Sequence, residues 1–135
     1  MHRPEFDRRV MVKLGIICRY LTRFFQVVAW LLILAIVMLS LGPPSTRPVT
    51  GAGHNLEHLL IFVAMGAAFG LGYPRRFLLL PVALLAFTGA VEVAQMMVPG
   101  RHARLSDFVT DAAASCVGIG LSFVLVQLTA AMSRS

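Results

Sequence analysis

The chain has 135 residues, of which 58% are hydrophobic and 13% charged, and a mean hydropathy of +0.80. A soluble domain carries about 25% charged residues, so the composition excludes an ordinary water-soluble globule. At about 20 apolar residues per helical crossing, the length allows at most about five spans and no separate soluble domain. The net charge of +6 does not point to nucleic acid. Half of the basic residues (Arg3, Arg8, Arg9, Lys13, Arg19 and Arg23) precede the first apolar run, where they read as a topogenic signal, and no folded nucleic-acid module accompanies them.

In chain order, residues 1–23 form a basic cytoplasmic or interfacial segment. Phe6, Val10, Leu14, Ile17, Leu21 and Phe24 recur at steps of three and four, and the basic residues avoid that stripe. Two forms fit the pattern: an amphipathic helix lying on the inner membrane surface, or a longer first helix whose arginines snorkel to the interface. The apolar run 24–41 is longer than the 7–15 residues of a signal-peptide core, and is expected to stay as an anchor. Cys18 sits among juxtamembrane arginines and Cys116 inside an apolar stretch, which argues against a disulfide or a cysteine-based metal site.

Further spans are predicted at about 54–73, 77–98 and 107–131, separated by Gly42-Pro43-Pro44-Ser45, Pro74-Arg75-Arg76 and Pro99-Gly100-Arg101-His102. With four spans both termini share a side. If that side is cytoplasmic it holds the six N-terminal basic residues with Arg75, Arg76 and Arg134, against Arg47, Arg101 and Arg104 opposite. The positive-inside rule then selects an N-in, C-in arrangement. The expected fold class is an all-α membrane protein, a four-helix transmembrane bundle over residues 24–131. Gly66 and Gly70 in the second span, and Ala114, Gly118 and Ser122 in the fourth, have the four-residue spacing that lets helices approach closely within such a bundle.

Polar residues gather at one depth. Glu57, Glu92, Asp107 and Asp111 all fall at the outer ends of spans two to four. A charge near mid-bilayer costs roughly 3 kcal/mol or more, so such groups face the bundle, a wet cavity or one another. His54, Glu57 and His58 spell H-x-x-E-H, a zinc-protease pattern in which the paired imidazoles bind metal. Glu92 or Asp107 could supply the third ligand, but the string is short and falls at an interface where His and Glu are tolerated, so the stronger reading is a hydrogen-bonded interfacial helix start. Glu92 and Gln95 share a face, with Thr88 one turn below. Glu92 either pairs with Arg101 or Arg104 across the Pro99-Gly100 turn, tying spans three and four together, or lines a pocket. Ser106 and Asp107 suit the N-terminus of span four. Asp111, a turn deeper and in line with Ser115, needs a partner: Arg104, Arg101 or a span-two histidine.

The string Glu92-x-x-Gln95-x-x-x-Pro99-Gly100-Arg101, with Asp107 six residues later and His58 in an earlier apolar helix start, resembles the VanZ-like family over roughly residues 40–125. That resemblance implies a small bacterial membrane protein, in a family named for a member associated with reduced susceptibility to teicoplanin. The chain departs from the family pattern at His54-Asn55, where many members have Asp-Lys, and at Asp111 and Ala114, where Asn and Gly are usual.

Two functions compete. In the first, a site at the extracytoplasmic face binds or modifies a lipid-linked, cell-envelope or amphipathic molecule. Arg101 and Arg104, with Gln95 and Asp111, then hold the ligand, His58 or Glu92 acts as general acid or base, and Asp107 orients His58 or Arg101. In the second, the same groups form a non-catalytic network that holds the helices together. Membrane lipids are expected partners and nucleic acid is not. Neither reading calls for a cofactor or metal, and no serine or cysteine nucleophile has an evident base.

Overall fold

The computed structural model describes residues 3–42, 54–98 and 104–132, with the side chains of 3–11, 14, 54, 55 and 57 outside that description. Among the described residues the chain is all-helical: α1 (Arg3–Leu41), α2 (His54–Gly72), a 3-10 turn (Pro74–Arg76), α3 (Leu79–Gln95) and α4 (Leu105–Met132).

Each boundary follows from local chemistry. Pro4 sits in the first turn of α1, where its missing N–H costs nothing. No other proline interrupts the helix until Gly42-Pro43-Pro44 ends it. The basic segment is therefore continuous with the first apolar run, and the longer first helix is the form adopted. Its 39 residues extend about 58 Å at 1.5 Å per residue. The stripe residues Ile17, Leu21 and Phe24 are exposed, so the bundle does not cover them. Pro81 is likewise tolerated in the first turn of α3. That helix tightens at its end through i→i+3 bonds, Met97 N–H to the Ala94 carbonyl (3.1 Å) and Val98 N–H to the Gln95 carbonyl (3.1 Å).

The tightest packing joins α2 to α4, and α1 lies against the other side of α2; α3 contacts α4 and, less extensively, α1. Small residues make the α2–α4 approach possible. A Cβ built on Gly66 would overlap the Ser115 carbonyl, and one on Gly118 would overlap the Val63 carbonyl and the Ala67 nitrogen. The apolar core between the helices is built on Ala29, Ile36, Phe62, Met65, Phe69, Leu80, Leu84 and Ile119.

Two stretches, Gly15–Leu41 and Leu105–Met132, are long and apolar enough to cross a membrane, while the apolar helices His58–Gly72 and Leu79–Gln95 are shorter. Only 17% and 39% of the most apolar windows of the two long stretches is buried in protein. Trp30, Leu31, Leu34, Leu121, Val124 and Leu128 all point outward, the reverse of what a core helix in a water-soluble protein shows.

Candidate functional site

The antiparallel arrangement brings the start of α2, the end of α3 and the start of α4 to one pole of the bundle. His58 is the fifth residue of α2, Glu92 the fourth from the end of α3, and Asp111 the seventh of α4, so each lies about 5–9 Å inside its helix terminus. The three side chains therefore lie at one end of the bundle.

Three contacts decide between the expected pairings: the first is the histidine partner that was one of those expected for Asp111, and the other two depart from expectation. With its proton on Nδ1, His58 donates to Asp111 Oδ2 at 3.4 Å, the long end of hydrogen-bonding range. Asp111, and not Asp107, therefore orients the imidazole, because the deeper position on α4 is the one that faces α2 where Gly66 and Gly118 hold the two helices together. Secondly, the Glu92 carboxylate accepts the backbone N–H of Arg104 at 3.2 Å, while the Arg104 side chain is exposed. The tie between α3 and α4 thus runs through a main-chain donor that the helix start leaves free, and no guanidinium of a described residue closes it. Thirdly, Arg104 stands immediately before α4 and its carbonyl receives the Asp107 and Phe108 N–H groups. Ser106 lies within the first turn and bonds the Asp107 carboxylate at 3.0 Å instead of capping the helix.

The remaining groups are placed as follows. Gln95 is buried on the same face of α3 as Glu92 and Thr88. Asp107, half-buried, lies with Asp111 and His58 close enough to the Glu92 carboxylate to act on its charge. His58 stacks on Phe62 one turn along α2, at a centroid distance of 6.1 Å. Arg101 lies outside the described residues, as do the side chains of His54 and Glu57, the other members of the zinc-like string. Among the described residues no group of three His, Cys, Asp or Glu side chains gathers as a metal site.

One atom stands out. Asp111 is 4% exposed, and among the described residues its Oδ1 has no hydrogen-bond partner. The nearby hydroxyls on the buried faces are engaged within their own helices: Ser115 donates to the Asp111 carbonyl (2.8 Å) and Thr88 to the Leu85 carbonyl (2.9 Å). Among the described residues the cluster therefore leaves one buried acceptor, Asp111 Oδ1, open. Comparison of the chain with models of protein families, with characterised proteins and with solved structures finds no match. The chemistry of this pole is the basis for a functional reading.

Sequence reasoning missed the opposite pole. There Gln26 Nε2 donates to the Gly72 carbonyl at the end of α2 (2.9 Å), and Trp30 Nε1 donates to the Tyr73 hydroxyl (3.0 Å). Gln26, the lone strongly polar side chain within the run 24–39, was the available signal.

Proposed function

We propose that the chain is a four-span membrane protein of the VanZ-like kind, N-in and C-in in a bacterial inner membrane, whose polar pole binds or modifies the head of a lipid-linked, cell-envelope or amphipathic molecule. Asp111 Oδ1, without a hydrogen-bond partner among the described residues, carries this reading. A network that served packing alone would satisfy a carboxylate buried this deeply, since a buried polar group left without a partner costs about 1–3 kcal/mol. That open acceptor suits a ligand that offers hydroxyl or amino hydrogens to Asp111, with His58 held by the same carboxylate as the acid–base group. The exposed Arg104 would engage an anionic part of the ligand, and Arg101, outside the described residues, is the second candidate for that role. The outward apolar faces of α1 and α4 support the membrane setting, because lipid solvates them and water does not.

The Glu92–Arg104 bond favours the second reading, a packing network, and one experiment separates the two. The native chain, Glu92→Gln and Asp111→Asn are expressed in a teicoplanin-susceptible Gram-positive host, and susceptibility and membrane content are measured together. A binding or catalytic site predicts that the native chain lowers susceptibility and that both variants lose the effect at unchanged membrane content. Variants that disappear from the membrane identify a scaffold, and full effect at normal content in both variants removes the site.

A further inference from the structure

At the pole opposite the acidic cluster, α1 and the α2–α3 turn enclose a cavity of about 530 Å³. Four guanidinium groups border it: Arg19 and Arg23 from α1, Arg75 and Arg76 from the 3-10 turn. All four side chains are exposed, and none is paired with a carboxylate among the described residues. Like charges brought together repel, and although water screens these exposed groups, an anion seated among them would relieve that repulsion.

The cavity also adjoins a second, more apolar groove. Through Arg23, Gln26 and Tyr73 it continues into an open groove of about 620 Å³ along α1, lined by Val27, Trp30, Leu31 and Leu34. These side chains are more than half exposed. They follow Arg19 and Arg23 at helical steps of three and four, so charge and hydrocarbon lie end to end on one face. From Arg23 to Leu34 the helix rises about 16 Å, close to half of the roughly 30 Å hydrocarbon thickness. The close fit of Gly72 against Gln26, where an added Cβ would come within 3.0 Å of the Gln26 nitrogen, and the Gln26–Gly72 hydrogen bond hold the two walls together.

We infer that this is a binding site for an anionic phospholipid, whose phosphate enters the arginine cavity and whose acyl chain lies in the Val27–Leu34 groove. A soluble anion would make no use of the groove, and a zwitterionic lipid would bring a cation into a site that already holds four. Basic recesses between membrane helices take lipid phosphates by this charge complementarity, and arginine suits the role through bidentate contact. The inference shares only the membrane setting with the proposed function. It concerns the other pole, and its test leaves Glu92 and Asp111 untouched.

Trp30 lines the groove and is the chain's single tryptophan, so its fluorescence reads occupancy. The full chain is reconstituted in phosphatidylcholine vesicles containing either phosphatidylglycerol or phosphatidylcholine with brominated acyl chains. The brominated anionic lipid is expected to quench Trp30 at a mole fraction about fivefold or more below that of the zwitterionic one. The Arg75→Gln/Arg76→Gln double variant should lose that preference, Lys13→Gln outside the cavity should keep it, and millimolar inorganic phosphate should leave it in place. Arg19→Gln/Arg23→Gln supplies the second wall should the first variant lose its helical circular dichroism. Equal quenching by the two lipids, a preference that survives in both double variants, or one that inorganic phosphate abolishes would overturn the inference.

Discussion

At the scale of single residues, Asp111 and Glu92 do different work although both are buried carboxylates. Glu92 satisfies a main-chain donor ahead of α4, so Glu92→Ala should destabilise the protein by about 1–2 kcal/mol in detergent unfolding, while Glu92→Gln keeps an acceptor and recovers most of it. Asp111 holds His58 with one oxygen and leaves the other unused. Asp111→Asn preserves an acceptor for His58 and removes a buried charge, so its stability should change by no more than about 1 kcal/mol while activity falls. A loss as large as that of Glu92→Ala would place Asp111 in the packing network instead. The sequence made both residues visible, because a carboxylate a turn or more inside an apolar helix demands a reason. It did not choose their partners, since Arg101, Arg104 and His58 all lay within reach of a chain whose helix rotations were unknown.

At the scale of elements, the α2–α4 interface is the closest helix contact, and glycine sets it. Gly66→Ala and Gly118→Ala each place a methyl group on opposing backbone, and should cost about 1–3 kcal/mol in thermal or denaturant unfolding of the solubilised protein. Gly120→Ala, on the same helix as Gly118 but with nothing near its Cβ, should be neutral or slightly stabilising because alanine is the better helix former. Equal effects at 118 and 120 would show that close approach is not what Gly118 provides. The four-residue spacing of small residues was legible beforehand. Which glycine meets which carbonyl was not, because spacing defines a face and leaves the opposing surface unspecified. The same limit applied to residues 3–23, where one apolar stripe fits a helix lying on a surface and one continuing into the bundle, and the absence of a breaker before Gly42 decided for continuity.

At the scale of the whole molecule, the two poles differ in sign: acids and histidine gather at one, arginines at the other. If positive charge marks the cytoplasmic side, a cysteine introduced at Arg76 of a Cys18→Ser/Cys116→Ser chain should react with an impermeant maleimide only after permeabilisation. One introduced at Arg104 should react in intact cells. The opposite pattern would invert the topology, and labelling of both from one side would remove α3 as a span. Composition, breakers and hydropathy determined by themselves that the chain is helical and apolar, roughly where each helix runs, and that acidic side chains fall near the start of α2, the end of α3 and the start of α4. These are properties of the chain taken one segment at a time. Tertiary structure alone decided that His58 meets Asp111, that Glu92 spends its charge on a backbone N–H, and that Arg19 and Arg23 converge with Arg75 and Arg76 over a gap of more than fifty residues. Each of those depends on the rotation and neighbour of a helix, and apolar periodicity this weak leaves both undetermined until the helices pack.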